Sequence, residues 1–218
     1  MNVLVVSPHP DDETLGAGGT ILGLIEQGHK VYWLNITDCQ ELDIPDEDKR
    51  KRTRLIERIS ELYGFENSFN LRWPTTKLDT LKDAESVSEI SKIISATMPE
   101  WIILPDYNDV HSDHRKVFDW CFSCTKVFRY PFIKKILTME IISETNFALP
   151  EHTFCPNMFV DISKYMEEKI AIARMYDTEM GIHPFPRSVD SIRALATMRG
   201  AMAGVTYAEA FKVLKEII

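Results

Sequence analysis

Short apolar runs alternate with amphipathic stretches along this chain, and the alternation predicts a parallel sheet covered by helices. The first run, residues 3–6, consists of four aliphatic residues and has no polar face, which is typical of a fully buried strand. Further strands are predicted at 30–37, 68–73, 101–104, 135–143 and 158–162. Strands that alternate with helices in this way are characteristic of α/β proteins.

The helices are predicted from apolar residues that recur every three or four positions. A helix over residues 48–63 ends at Gly64, and a helix over 83–97 is followed by Pro99. The other helices are predicted at 16–27, 113–128, 163–176, 189–199 and 207–218. We therefore expect one domain, 1–218, with a three-layer, Rossmann-like, doubly wound and mainly parallel α/β sheet. The expected strand order is 3-2-1-4-5, with a helical C-terminal segment.

Two clusters of histidine and carboxylate residues follow the first and fourth predicted strands. They are Ser7-Pro8-His9-Pro10-Asp11-Asp12-Glu13 and Asp109-Val110-His111-Ser112-Asp113-His114. In the order 3-2-1-4-5 these two strands are neighbours, and ligands bind in the crevice at their carboxyl ends. The order therefore brings both clusters to one crevice.

The residue types in this crevice favour a cation site, because histidine nitrogen and aspartate oxygen are both zinc ligands. The alternative is a solvated acidic loop that stabilises the N-terminus of the next helix. The second cluster makes this alternative weaker, since half of the six histidines fall in the two crossing loops.

The glycines at 16–19 do not match a dinucleotide-binding loop. Gly16 and Gly18 fit the first two positions of G-x-G-x-x-G, but Ile21 occupies the sixth, and the acidic stretch before them would repel a pyrophosphate. NAD is therefore excluded. We expect these glycines to let the first helix pack closely.

Composition narrows the function classes further. The net charge of -8 argues against general nucleic-acid binding. The sequence has no apolar run of about 18 residues, which a membrane span would need, and no basic n-region of a signal peptide, so we expect a cytoplasmic protein. Cys121 and Cys124 form a C-x-x-C pair inside a helical pattern, and we expect buried core cysteines rather than a redox or zinc site.

The two clusters resemble the motifs of the PIG-L/LmbE-like family of zinc-dependent N-deacetylases. Residues 9–13 match the family's His-Pro-Asp-Asp-Glu motif, and residues 111–114 match its His-x-Asp-His motif. Weaker similarities at 54–65, 160–169, 199–200 and 207–211 extend the resemblance over nearly the whole chain.

The resemblance implies a role for each of these residues. The implied ligands of Zn²⁺, or of another divalent metal, are His9, Asp12 and His114. Asp11 corresponds to the general base, and His111 to the residue that steadies the oxyanion or protonates the leaving amine; Asp113 is expected to orient His111.

Three further residues have less specific assignments. Glu13 is expected to be a charge in the first helical turn, with a partner role near the metal as the alternative. Arg54 and Arg187 are candidate substrate contacts, although a surface ion pair of Arg54 with Glu57 or Glu61 is equally consistent with the sequence.

The implied activity is hydrolysis of the N-acetyl group of an N-acetylglucosamine-type sugar or sugar conjugate, which releases acetate and a free amine. One alternative is an amidase that cleaves a thiol-sugar conjugate. A second is a non-catalytic sugar- or nucleotide-binding module. The resemblance leaves the oligomeric state open and allows a homo-oligomer, either a trimer or a hexamer.

Overall fold

The computed structural model describes residues 1–218, and one seven-stranded sheet forms its centre. The strands are β1 (Asn2–Ser7), β2 (Lys30–Asp38), β3 (Asn67–Pro74), β4 (Trp101–Leu104), β5 (Lys135–Met139), β6 (Met158–Asp161) and β7 (Ala208–Glu216). Their order is β3-β2-β1-β4-β5-β7-β6. The first five strands are parallel, which confirms the predicted order 3-2-1-4-5.

Six α-helices cover the two faces of the sheet. They are α1 (Asp12–Glu26), α2 (Asp46–Tyr63), α3 (Asp83–Thr97), α4 (Ser112–Ser123), α5 (Met166–Ala173) and α6 (Val189–Ala203), with short 3-10 helices at Leu78–Thr80, Thr145–Phe147 and Pro150–His152. Alternate residues of β1 point into different cores: Val3 and Val5 pack with α1, α2, α5 and α6, while Leu4 and Val6 pack with α3 and α4. The apolar run that predicted a fully buried strand is thus explained by helices on both sides.

The C-terminal segment differs from its prediction, because residues 208–216 form β7 and not a helix. Ala, Glu, Lys and Leu dominate this segment, and all of them favour helices when local propensity alone decides. The segment instead lies between β5 and β6, is antiparallel to both, and buries Phe211 completely. Pairing on both sides outweighs the local preference, since strand formation depends strongly on tertiary context.

The remaining differences are mostly shifts of element ends. Helix α1 begins at Asp12 instead of residue 16, and α4 ends at Ser123 instead of residue 128, so that Phe128 lies outside the helix and is exposed. Cys121 and Cys124 are buried in the core beneath α4, as expected. None of the helices combines the length and the apolar character that a membrane crossing requires.

The glycine-rich helix α1 packs closely, as its composition predicted. A Cβ atom on Gly19 would lie 2.6 Å from the side chain of Ile162. This close approach lets a buried ion pair reach the helix main chain. The Glu209 carboxylate accepts the N–H groups of Gly19 and Thr20 at 2.9 and 2.8 Å, and Lys169 binds Glu209 at 2.6 Å.

The same lysine also donates to the main-chain oxygen of Leu15 at 2.9 Å. In a regular helix this oxygen and the N–H of Gly19 bond to each other. The ion pair therefore connects α5 and β7 to the middle of α1, the helix whose first turn contains Asp12.

We predict that Lys169→Met lowers the free energy of unfolding by about 3–5 kcal/mol, because it leaves the Glu209 carboxylate buried without its counter-charge. Denaturant unfolding followed by circular dichroism measures this. Lys164→Met is the matched control: Lys164 also binds a glutamate, Glu26, but both side chains are more than half exposed. Its loss should cost less than about 1 kcal/mol, and equal losses in the two variants would contradict the prediction.

Candidate metal centre

The two clusters meet at the carboxyl ends of β1 and β4, which pair directly in the middle of the sheet. His9 lies in the loop after β1, and His114 lies in the first turn of α4. Although 105 residues separate them, Nδ1 of His9 lies 3.2 Å from Nε2 of His114. The strand order thus brings the two imidazoles together.

Asp12 adds a third atom to this group. Its Oδ2 lies 3.3 Å from Nε2 of His114 and 3.6 Å from Nδ1 of His9. In a tetrahedral zinc site with bonds of about 2.0–2.1 Å, neighbouring donor atoms are about 3.3 Å apart. The three atoms therefore have the chemistry and the spacing that a zinc ion requires.

Two further carboxylates fix which nitrogen of each imidazole faces the centre. Oδ2 of Asp113 lies 3.1 Å from Nε2 of His9, and Oδ2 of Asp109 lies 2.8 Å from Nδ1 of His114. Because an ionised carboxylate only accepts hydrogen bonds, these two nitrogens carry the protons. The opposite nitrogens are left with free lone pairs, as metal-binding histidines need.

The side chain of Asp113 therefore has a different partner from the one expected. Its carboxylate binds His9 and the main-chain N–H of Thr76, and does not bind His111. It is the main-chain N–H of Asp113 that donates to Nδ1 of His111, at 3.1 Å. His111 thus keeps its proton on Nε2 in the neutral form, so the backbone and not a carboxylate orients it.

The titration behaviour indicates that the space between the three donor atoms favours a positive charge. Burial alone would lower the pKa of His9, but hydrogen bonds with Asp113 and Asp12 raise it to about 9. Burial opposes ionisation of Asp12, yet the imidazoles of His114 and His9 hold its pKa below the usual range. A proton or a metal ion satisfies this preference.

His111 contrasts with the other two histidines. Burial and the neighbouring His9 and His114 lower its pKa to about 4, so it is a neutral imidazole at pH 7. Ring nitrogens of all three histidines lie within 4.8 Å of one another, so a set of three histidines is a second group that could hold a metal. The donor atoms of His9, Asp12 and His114 lie closer together.

Asp11 is buried beside this centre and held in a strained conformation. Its φ of 132° lies in a region that residues other than glycine rarely adopt. Its Oδ2 is buried and has no hydrogen-bond partner. Burial raises the pKa of Asp11 well above its usual range, and the charge of Asp12 adds to this effect. An unpartnered carboxylate of this kind is suited to take up a proton.

Glu13 holds the backbone of Asp11 in place. It is fully buried in the first turn of α1, so it is not a solvated helix charge. Its Oε2 accepts the main-chain N–H of Asp11 at 3.2 Å, and its Oε1 accepts the hydroxyls of Thr14 and Tyr176, both at 2.6 Å. Glu13 thereby connects the strained residue to Tyr176 in the segment that follows α5.

A cavity of about 900 Å³ opens in front of these residues. His9, Asp11, Asp12 and His111 line it, and so does Arg187, whose role as a substrate contact stays a prediction. Arg54 is exposed on α2 and does not line the cavity.

Arg52, two residues earlier on α2, lies in the cavity wall instead. It donates to Oε1 of Glu179 at 2.7 Å, and Arg187 donates to the other oxygen of Glu179 at 3.2 Å. The sequence interpretation missed Arg52 and Glu179. The helical period would have identified Arg52, because it lies three positions before Leu55, which also lines the cavity.

Glu144 and Asp109 were also missed. Glu144 lines the cavity, and burial raises its pKa. Asp109 was part of the second cluster but had no assigned role; its place five residues before His114 is the signal that could have identified it.

Comparison with known proteins agrees with this geometry. Residues 4–124 match the family model described as PIG-L: GlcNAc-PI de-N-acetylase. The diacetylchitobiose deacetylase of Thermococcus kodakarensis is 28% identical over 234 residues, which cover 99% of this chain and 84% of the relative.

Two solved structures show the same fold. The N,N'-diacetylchitobiose deacetylase of Pyrococcus horikoshii has a TM-score of 0.78 and 22% identity, covering 98% of this chain and 84% of that one. GalB of Pseudomonas putida KT2440, a 4-carboxy-2-hydroxymuconate hydratase, has a TM-score of 0.77 and 15% identity. The match covers 100% of this chain and 97% of GalB. Since a hydratase shares the fold, the reaction must be argued from the site.

We predict that Asp109→Asn lowers the affinity for Zn²⁺ about 10- to 100-fold, because the carboxylate that fixes the tautomer of His114 is lost. Competition with a chromogenic chelator measures the affinity. Asp119→Asn, on the exposed side of the same helix, is the control and should bind zinc like the unmodified protein. Equal zinc affinity in the two variants would show that Asp109 does not contribute to metal binding.

Proposed function

Because the chain belongs to the PIG-L family, we propose that it is a metal-dependent hydrolase that removes the N-acetyl group from an N-acetylglucosamine-type sugar or sugar conjugate. The products are acetate and a free amine. The observation that carries the proposal is the unpartnered carboxylate of Asp11 beside three converging donor atoms. The name of the curated relative, a deacetylase of a disaccharide, supports the same reaction.

In this proposal His9, Asp12 and His114 would hold a zinc ion through Nδ1, Oδ2 and Nε2. Two histidines and one carboxylate leave a fourth position open, as catalytic zinc sites require. When bound, zinc would polarise the acetamide carbonyl and lower the pKa of water to about 7. Asp113 and Asp109 keep the two imidazoles in the tautomers that can bind it.

Asp11 is the general base. Its buried Oδ2 has no competing hydrogen-bond donor, so it is free to accept a proton from the attacking water and to pass it to the amine nitrogen as the C–N bond breaks. The bond from Asp11 N–H to Glu13 fixes the main chain of this residue, and the carboxylate therefore needs little reorganisation before the reaction.

His111 steadies the acetamide oxygen as negative charge develops on it. With Nδ1 occupied by the main-chain N–H of Asp113, its Nε2–H is the group that can donate. The proposal therefore uses a neutral imidazole as a hydrogen-bond donor. Loss of such a donor typically lowers kcat by about 100- to 1000-fold.

The two other candidate functions are separated by one assay. A thiol-sugar amidase would use the same side chains, and release of a thiol-bearing fragment would identify it. A non-catalytic sugar-binding module would not need a buried carboxylate in a strained conformation next to the donor atoms. Acetate release from N-acetylglucosamine and its disaccharide, measured with and without added zinc, separates the deacetylase from the other two, and release of a thiol-bearing fragment separates those two from each other.

We predict that Asp11→Asn retains zinc but loses at least about 100-fold in kcat, since its amide cannot take up the proton. Acetate release gives the rate, and elemental analysis gives the metal content. An unchanged kcat in this variant would contradict the assignment of Asp11 as the general base.

We predict the opposite pattern for His114→Ala. Removal of Nε2 leaves only two of the three donor atoms, so the purified protein should contain much less than one zinc per chain. Stoichiometric zinc by elemental analysis would contradict the assignment of His114 as a ligand. The cytoplasmic location expected from the sequence, and the trimer or hexamer that the resemblance allows, stay predictions.

A further inference from the structure

The wall of the cavity has an unusual balance of charges for a sugar site. Seven carboxylate side chains line it, against only three cationic side chains, which are Lys51, Arg52 and Arg187. A divalent metal ion would still leave an excess of negative charge. An incoming phosphate or carboxylate could bind here only if a cation of the wall were free to pair with it.

None of the three cations is free. Arg52 and Arg187 bind the two oxygens of the same carboxylate, Glu179, at 2.7 and 3.2 Å. Lys51 is largely exposed at the rim and lies between Asp48 and Glu47, at 3.3 and 3.5 Å. Arg187 also lies 4.0 Å from Oε1 of Glu144, but Glu179 is the one carboxylate that binds both guanidinium groups facing the cavity.

We propose that Glu179 determines substrate specificity: by occupying Arg52 and Arg187 it restricts the site to uncharged N-acetylated saccharides and excludes those with phosphate or carboxylate groups. This inference rests on the deacetylase function proposed above. An anionic substituent would lose its hydration, meet an excess of like charge and find no unpaired cation. Exclusion by an unfavourable charge is a common basis of specificity.

The same arrangement suits hydroxyl groups. A guanidinium carries five N–H donors, and the contacts with Glu179 leave some of them unused on both arginines. These donors are held in position by the shared carboxylate and by the bond from Nε of Arg187 to the main-chain oxygen of Glu179 at 2.9 Å. Neutral sugar hydroxyls can accept from them without a charge being brought into the cavity.

Glu179→Gln tests the proposal directly. Its amide oxygen can still accept from a guanidinium, and the main-chain bond of Arg187 is untouched, so the fold should be kept. The measurement is the ratio of kcat/KM for acetate release from N-acetylglucosamine 1-phosphate to that from N,N'-diacetylchitobiose. The unmodified enzyme should prefer the neutral disaccharide. In the variant the ratio should rise at least about tenfold, equivalent to about 1.4 kcal/mol.

Two further variants show whether the loss of the negative charge causes the rise in the kcat/KM ratio. Glu167→Gln is the matched control, because Glu167 binds Arg193 through both oxygens at 2.6 and 3.0 Å but lies on the surface, outside the cavity. Glu179→Asp keeps the negative charge. Both should retain a ratio close to that of the unmodified enzyme, while a purely structural role of Glu179 would disturb the Asp variant as well.

The outcomes separate this inference from the proposed function. An active enzyme whose ratio is the same in Glu179→Gln and Glu167→Gln overturns the role of Glu179 and leaves the deacetylase function intact. An unmodified enzyme that accepts the sugar phosphate as readily as the disaccharide also overturns it. Absence of acetate release from both compounds, with zinc bound, overturns the proposed function and the inference with it.

Discussion

The structure depends on the meeting of three hydrogen-bond acceptors at one point. Nδ1 of His9, Nε2 of His114 and Oδ2 of Asp12 lie 3.2–3.6 Å apart, and lone pairs at this distance repel each other unless a positive charge lies between them. The sheet makes the meeting unavoidable, because β1 and β4 pair side by side and each ends in one of the two loops.

A second layer of contacts keeps this arrangement from relaxing. Asp113 and Asp109 turn the protonated nitrogens of the imidazoles outward, so the lone pairs must point inward. On the other side, Glu13 accepts the main-chain N–H of Asp11 and is itself held by Tyr176. Buried polar groups of this kind rigidify a site when every member has a partner. Two oxygens of this layer have no partner, Oδ1 of Asp109 and Oδ2 of Asp11, and Oδ2 of Asp11 is the atom to which chemistry is assigned.

The parts of the fold and site that depend on local pattern could be predicted from the sequence. Helix α3 and strand β4 occupy the expected residues, since their apolar spacing and the following Pro99 and acidic loop mark their ends. The adjacency of the two clusters followed from strand order.

Strand β7 could not be predicted, because its residues favour a helix and only the partners on both sides decide otherwise. The partner of Asp113 and the position of Arg52 likewise depend on distances between elements that are remote in sequence.

The place of β7 in the sheet has a consequence for the order of folding. Strand β6 lies at the sheet edge and pairs only with β7, so it has no strand to join until β7 has paired with β5. These pairings join segments that are far apart in sequence, and such long-range strand pairing is slow. Glu209 lies in β7 and reaches the middle of α1 only when this pairing forms. Local unfolding of this edge of the sheet would therefore also loosen the helix that contains Asp12.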